Sequence, residues 1–273
     1  ATEARAAEIA RSYRPRRPEA FRLDAERFLA PGFLEISRML GSCRDEKQQP
    51  LQVGQCVAAL VEKGLIKEIR HGLWTFPVLT EHFCDLLEEE LSHYLASGLP
   101  HAPPNTMNRF GVILAELGFG PGLTDPLVAD HLDAVAGALL PAHTDGLDSY
   151  RAFTVLYDHD ADGDRELAMH YDNAEVTLNV NIGGSWQGGQ VAFYGLATDN
   201  DTDMATDVSL ERGHGVLHAG LELHQARPIT AGRRHNLIMW CRSSAKRNQR
   251  CPMCFESPQL RATNQFSDEG FRP

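Results

Sequence analysis

HYDNAEVTLNVNIGGSWQGGQVAFYG, residues 170–195, carries the pattern that decides the fold. Within VTLNVNI, Thr177, Asn179 and Asn181 alternate with Val176, Leu178, Val180 and Ile182. That period of two belongs to an extended strand with one polar and one apolar face. Paired glycines then interrupt the chain before a second β-type run, QVAFYG. Working outward, RAFTVLY (151–157), HGVLHAG (214–220) and HNLIMWCRSS (235–244) are further short β-type runs separated by Gly, Asp and Asn clusters. Many short strands in succession imply an antiparallel sandwich or barrel rather than a doubly wound parallel sheet.

The preceding half has helical periodicity. Residues 22–40 read as a helical region broken at Pro31-Gly32, and residues 53–66 place Val53, Cys56, Val57, Leu60 and Val61 at helical spacing, with Gly64 as a stop. GLWTFPVLT (72–80) reads as a short strand and a turn. Its last residue, Thr80, is placed to cap EHFCDLLEEELSHYLA, in which Phe83, Leu86, Leu87, Leu91 and Leu95 form one stripe. A third helix is expected over 125–140, where Leu127, Leu132, Val135, Leu139 and Leu140 share a face. RPRRP at 14–18 disfavours helix, so the first twenty residues are expected to form an arm or tail. The fold class read from this pattern is α+β, a helical N-terminal half supporting a β-barrel. Its expected divisions are an arm and helical region (1–65), a helical support (66–149), the barrel core (150–245) and a C-terminal extension with a CxxC (246–273). ATDNDTDMATD (197–207) lacks the ligand spacing and final Glu of an EF-hand and reads as a solvated loop.

A length of 273 residues with 42% hydrophobic composition supports a well-buried core. The net charge of −11 works against nucleic acid or anionic membrane as a partner. No apolar run is long enough for a membrane span, and the charged opening is not signal-like. The chain opens on Ala1 rather than Met, so a preceding targeting segment is left open. Six sparse cysteines, at 43, 56, 84, 241, 251 and 254, point to the cytoplasm or another reducing compartment.

His170 and Asp172, two apart at the start of the strand, project to one face of an extended chain and can converge on one ion. His-x-Asp alone is a weak signal. Downstream, HAGLELHQARPITAGRRHNLIMW supplies a second cluster: His224 is followed by Pro228, Gly232 and Arg234, leading into an apolar strand with Trp240. Two His and one carboxylate leave three positions of an octahedral iron(II) open, whereas structural zinc sites close with four ligands, usually including thiolates. His218 is expected to support the site from outside the ligand set, and His214 and His235 to be surface or turn residues.

HYDNAEVTLNVNIGGSWQGGQVAFYG together with GVLHAGLELHQARPITAGRRHNLIMWCRSS resembles the catalytic core of the prolyl and lysyl hydroxylase group of 2-oxoglutarate oxygenases. PNTMNRFGVILAELGFG (104–120), LDSYRAFTVLY (147–157) and RNQRCPMCFESPQL (247–260) narrow the resemblance to the 2-oxoglutarate and iron-dependent oxygenase domain-containing protein 2 family. The likeness runs from about 66 to 270 and is less clear over the first sixty residues. It implies a double-stranded β-helix, the cupin-like jelly-roll barrel, flanked by supporting helices. It also implies Fe(II) held by His170, Asp172 and His224, with 2-oxoglutarate and O2 as co-substrates and ascorbate as an assay additive. By the same resemblance Arg234 receives the distal carboxylate of 2-oxoglutarate, Arg233 pointing the opposite way. Tyr157, Thr177, Asn179, Asn181 and Trp240 are the expected wall residues, with ordinary cross-strand pairing the alternative.

The implied reaction is hydroxylation of an aliphatic C–H bond, with decarboxylation of 2-oxoglutarate to succinate. The carboxylate of Asp172 favours this over halogenation, for which the superfamily places a small residue there. Protein, peptide and amino-acid-like substrates and small molecules all remain open, as does the oligomeric state. A catalytically silent binding protein on the same barrel is the alternative from another class. A third is a zinc-dependent interaction module at Cys251-Pro-Met-Cys254, for which one CxxC supplies only two thiolates; shared ligation with Cys241, a structural turn and a disulfide are equally open.

Overall fold

The computed structural model describes residues 2–45, 50–160, 163–198 and 204–261. Its helices gather in the first half: α1 (Thr2–Ser12), α2 (Ala25–Phe28), α3 (Pro31–Asp45), α4 (Pro50–Glu62), α5 (Glu81–Ala96), α6 (Leu114–Leu117) and α7 (Asp133–Leu139), with α8 (Ser244–Gln249) after the barrel. The helix break expected at Pro31-Gly32 falls just before Pro31, which opens α3, where its missing N–H costs nothing. Thr80 caps α5 as expected, its side chain accepting from the Phe83 N–H. The expected third helix forms as α7 preceded by a wider, π-type segment at Leu127–Leu132.

The strands are β1 (Lys67–Arg70), β2 (Leu73–Pro77), β3 (Ser149–Asp158), β4 (Leu167–His170), β5 (Val176–Gly188), β6 (Val191–Leu196), β7 (Thr206–Val208), β8 (His214–Ala219), β9 (Glu222–Ala226) and β10 (Ile229–Arg242). One antiparallel sheet runs β1-β2-β8-β5-β10-β3, the other β4-β9-β6-β7. From β3 onward the chain passes back and forth between the two sheets, which is the topology of a double-stranded β-helix.

VTLNVNI sits at the centre of the larger sheet, between β8 and β10. Val176, Leu178, Val180 and Ile182 face outward into the core shared with α3, α5 and α7, where Phe33, Phe83, Leu87, Leu91 and Val135 are also buried. Fully burying each such side chain contributes about 1.5–3 kcal/mol. The apolar face therefore goes to the helices, and the polar face of the same strand is left for the barrel interior.

Three features differ from the sequence reading. The first twenty residues do not form a free arm. Residues 2–12 are helical, Ile9 and Tyr13 are buried, Arg5 forms a two-pronged ion pair with Glu116, and the Tyr13 hydroxyl donates to Glu90 at 2.5 Å. RPRRP does stop that helix, but Arg16 and Arg17 pair with Glu89 rather than trailing into solvent. Second, Cys43 and Cys56 are joined in a disulfide that ties α3 to α4, whereas the disulfide left open in the sequence was at Cys251 and Cys254, both of which are free thiols. Third, His235 is 3% exposed in the middle of β10, beside Glu88, not at the surface or in a turn. Among the described residues no helix is long and apolar enough to cross a membrane. The acidic stretch at 197–207 lies partly outside the described residues, as does the end of the chain from 262.

Candidate metal centre

His170 closes β4 rather than opening the next strand, and Asp172 follows in the loop leading to β5. His170 lies directly opposite His224 of β9 in the antiparallel ladder, and this pairing turns a separation of fifty-four residues into adjacent imidazoles. Their ring centroids are 4.3 Å apart. Asp172 Oδ1 lies 3.6 Å from His170 Nε2 and 3.8 Å from His224 Nε2. One ligand atom from each of the three residues falls within 4.8 Å of the others, the one such cluster of three or more metal-binding side chains among the described residues.

Each group is oriented from behind. His170 Nδ1 lies 2.8 Å from the Ala168 carbonyl oxygen, and His224 Nδ1 lies 2.8 Å from that of Glu222. A carbonyl only accepts, so both Nδ1 atoms carry the proton and both Nε2 lone pairs face the shared space. Thr177 donates its hydroxyl to Asp172 Oδ2 at 2.7 Å, leaving Oδ1 toward the imidazoles. The Asp172 N–H donates to the Gly220 carbonyl at 2.8 Å. A Cβ on Gly220 would run into the Ala174 backbone oxygen, so glycine is needed for this close approach. Burial, with His224 adding to it, pushes the His170 imidazole below its ordinary pKa, which keeps it neutral and able to donate its lone pair.

His218 does not join this cluster. Its Nδ1 donates to the Ala219 carbonyl, its ring packs 4.9 Å from that of His224 and 5.1 Å from Phe193, and burial pushes its pKa down to about 3. Phe193 stacks on His224 at 5.6 Å. His214, at the start of β8, is half-buried and its Nδ1 faces the Arg212 carbonyl.

The three groups open into a cavity whose lining also includes Tyr157, Thr177, Asn179, Arg234, Asn236 and Trp240. Arg234 and Arg233 take opposite sides of β10, as strand geometry demands. Arg233 is exposed, whereas Arg234 is 4% exposed and points inward. Its guanidinium lies 4.4 Å from the centroid of the Tyr157 ring, and its Nη1 donates to the Gly189 carbonyl oxygen. Arg234 Nε is buried with no hydrogen-bond partner, and among the described residues no carboxylate pairs with this side chain. Gly232, two residues earlier, has φ +73°, and a Cβ there would strike the Ser185 carbonyl. A left-handed glycine therefore sets the strand register that delivers Arg234 inward.

The wall residues divide. Tyr157, Thr177, Asn179 and Trp240 line the cavity, and Trp240 packs edge-on against Phe153 at 4.9 Å. Asn181 is placed apart from that lining: its side chain donates to the Leu210 carbonyl and accepts from the Gly183 N–H. It borders a second space on the far side of Arg234. The sequence reading missed Asn236, whose amide donates to Asn179 Oδ1 at 2.6 Å, and Asn108, which donates to the Tyr157 hydroxyl at 3.4 Å. Asn236 follows Arg234 by two on the same strand face and was accessible to the alternation rule; Asn108 lies in a loop with no periodicity to find it. A wider groove leads outward past Leu167, His170 and Trp240 toward Arg5 and Glu116 of the N-terminal helices.

A family model described as an OGFOD2-like domain matches residues 9–145, the helical half. The human 2-oxoglutarate and iron-dependent oxygenase domain-containing protein 2 is 42% identical over 272 residues, covering 98% of this chain and 72% of the human protein. The mouse protein of the same name is 40% identical over 269 residues, covering 98% of this chain and 72% of its own length. Among solved structures, a Pseudomonas putida prolyl-4-hydroxylase aligns with a TM-score of 0.46 at 22% identity, over 63% of this chain and 93% of that one. The likeness thus extends into the first sixty residues, where the motifs read from sequence were least clear. With an identity of 42% along nearly its whole length and a family model spanning half of it, this chain belongs to the 2-oxoglutarate and iron-dependent oxygenase domain-containing protein 2 family.

Proposed function

We propose that this chain is an Fe(II)- and 2-oxoglutarate-dependent dioxygenase that hydroxylates an aliphatic C–H bond, with His170, Asp172 and His224 as the iron ligands. The observation that carries this reading is the convergence of two imidazole nitrogens and one carboxylate oxygen within 4.8 Å, in a cavity that also contains the buried, carboxylate-free Arg234. The donor set fits iron(II): two imidazole nitrogens and one carboxylate oxygen would hold the ion and would leave positions for exchangeable ligands. The orphaned Arg234 Nε fits a dicarboxylate, since a buried guanidinium calls for a charged acceptor with two oxygens.

Bound together, iron, 2-oxoglutarate and dioxygen supply the oxidising chemistry, and the co-substrate leaves as succinate and carbon dioxide. The chain's own residues bind and orient. The Nδ1–H bonds of His170 and His224 fix both rings, and Thr177 fixes the rotation of the Asp172 carboxylate. Arg234 binds the distal carboxylate, with Tyr157 under its guanidinium face holding the fork in place. Trp240 and Phe153 form an apolar wall that excludes water beside the metal ligands.

The substrate is proposed as a protein, peptide or amino-acid-like molecule approaching along the groove outside His170 and Trp240, and the net charge of −11 works against nucleic acid or anionic membrane as a partner. The barrel core at 150–245 and its helical support at 66–149 act as one catalytic unit, preceded by the helical region 1–65 and followed by the extension at 246–273. Succinate formation from 2-oxoglutarate by the purified chain with iron(II) and ascorbate tests the chemistry. Mass spectrometry for one added oxygen atom across peptide and metabolite libraries tests the substrate. No succinate from iron-loaded protein under either condition would favour a silent binding protein on the same barrel.

A further inference from the structure

The inward face of the β3–β10 pair extends past the metal cluster. Tyr157, Val155, Phe153 and Arg151 share one face of β3 and pair in register with Arg234, Asn236, Ile238 and Trp240 of β10. A guanidinium therefore stands at each end of this double row. Along β3 the two ends are separated by about 20 Å of strand. Arg234, at the inner end, lines the cavity; Arg151, at the outer end, lines the groove that leads into it. Leu167, His170 and Trp240 line both spaces, so His170 stands where the two meet.

Arg151 is half-buried, and the chain does not match its charge. Its Nη2 donates to the Pro104 carbonyl oxygen at 3.1 Å, and its Nε is buried without a hydrogen-bond partner. Among the described residues no carboxylate pairs with it. Arg5 and Glu116, the other Arg, Lys, Asp or Glu side chains lining the groove, satisfy each other through two bonds of 2.7 and 2.6 Å. In a chain of net charge −11, the groove thus keeps one uncompensated positive charge among its described lining residues. Directly opposite Arg151 in the ladder, Trp240 also has its Nε1 buried with no partner. Two unsatisfied donors side by side, one of them charged, call for acceptor oxygens that carry negative charge. Ile113 and Leu167 line the same groove and offer apolar contact to the rest of an occupant.

We propose that Arg151 determines specificity in this groove by binding a carboxylate of the substrate, with Trp240 Nε1 as the second donor. The substrate is then an acid, whose carboxylate is a chain end or a side chain and whose aliphatic carbon is held toward the metal cluster. A neutral analogue leaves both donors unpaired and is rejected for that reason. This assignment rests on the dioxygenase reading above.

The test uses the full chain loaded with Mn2+ and saturating 2-oxoglutarate, and measures by NMR the relaxation that Mn2+ induces in probe protons. That effect falls steeply with distance, so it reports only molecules held beside the metal. The probes are two matched pairs: N-acetylleucine with N-acetylleucinamide for a chain-end carboxylate, and N-acetylglutamyl-leucinamide with its glutaminyl counterpart for a side-chain one. In at least one pair the acid should bind at least about tenfold more tightly than the amide. The pair that shows the preference tells chain end from side chain. Arg151→Gln should remove the preference by weakening the acid alone, and Arg151→Lys should keep part of it. Should Arg151→Gln fold poorly, the parent and Arg151→Lys decide the matter. Equal binding of acid and amide in both pairs, no relaxation of any probe, or a preference undiminished in Arg151→Gln would each overturn the proposal. So would relaxation of the acid that further 2-oxoglutarate removes, since that places the acid at Arg234. Succinate formation by the iron-loaded parent is measured alongside. Succinate without an acid preference refutes the role of Arg151 alone, whereas no succinate removes the dioxygenase reading and this assignment with it.

Discussion

Replacing Arg234 and Arg233 one at a time separates a buried anion site from ordinary surface charge. Arg234 is 4% exposed, and burial lowers its pKa, with only the Tyr157 phenol opposing. Its neighbours are the Gly189 carbonyl and the ring and hydroxyl of Tyr157, none of them a carboxylate, and Nε has no partner, so the guanidinium is undercompensated until a carboxylate arrives. Breaking a desolvated, hydrogen-bonded charge pair costs about 2–5 kcal/mol. In affinity that is roughly thirtyfold to several thousandfold. Arg234→Ala should therefore weaken 2-oxoglutarate binding by at least about thirtyfold, measured by calorimetry with Mn2+ replacing iron, while exposed Arg233→Ala changes it little. Arg234→Lys should fall between them, keeping the charge and losing the two-pronged geometry. The free protein supplies an internal control: Arg234→Met removes an undercompensated buried charge and should melt no lower than the parent without 2-oxoglutarate. The parent alone should gain about 2.7 kcal/mol at a concentration one hundred times its Kd. A large effect of Arg233→Ala with a small one for Arg234→Ala would refute the register assigned to β10 and the anion role with it.

Three further outcomes are expected. His170→Ala, Asp172→Ala and His224→Ala should each abolish stoichiometric iron by metal analysis, whereas His218→Ala should lower the melting temperature but retain iron; loss of iron from His218→Ala alone would move the third ligand. Thr177→Val removes the hydroxyl bonded to Asp172 Oδ2 and should weaken iron binding by about 10–100-fold, with Thr177→Ser restoring it; equal affinity in both variants would show that the carboxylate needs no such support. Burial pushes the His235 pKa down, with Glu88 opposing and Arg233 reinforcing, so below about pH 6.5 the unfolded chain takes up a proton the folded one resists. Stability should fall by up to about 1.4 kcal/mol per pH unit there, and urea melts of His235→Gln should show a shallower slope.

What the sequence disclosed and what it withheld follow from where each feature is encoded. Val176, Leu178, Val180 and Ile182 alternate with polar residues because one face of β5 meets helices and the other the barrel interior, so local periodicity was enough to read both faces. Thr80 was legible for the same reason, since a cap bonds three residues away. The docked N-terminal helix was not. RPRRP reads as solvated, and what holds the segment, Tyr13 on Glu90 and Arg5 on Glu116, spans sequence distances of 77 and 111 residues. His235 follows two arginines and was read as a turn, yet β10 runs straight through Gly232 and carries it inside. Asn181 obeys the alternation that places it with Thr177 and Asn179. By its position, however, the ladder irregularity near His235 and Asn236 has begun, and its amide secures the loop at Leu210 instead.

The deepest physical link between motif and site is the segment 171–175, which carries Asp172 from the smaller sheet to the larger one. His170 and His224 belong to neighbouring strands of one sheet, so the ladder sets their spacing however the sheets are arranged. Asp172 has no such ladder. Its backbone N–H is fixed by Gly220 between β8 and β9, its carboxylate by Thr177 of the larger sheet, and the end of its loop by Glu175. That residue accepts from the Ser243 N–H at 2.9 Å and from Arg247 at 2.7 Å. The carboxylate is thus the member of the cluster whose position registers how the two sheets sit against each other, and Arg234 projects from the larger of them. A motif of two residues, His-x-Asp, works as part of a metal site because the chain crosses between sheets immediately after it, under restraints from β5, the β8–β9 corner and α8. Those restraints are long-range, which is why the spacing alone was a weak signal and became a specific one only beside His224, Gly232 and Arg234.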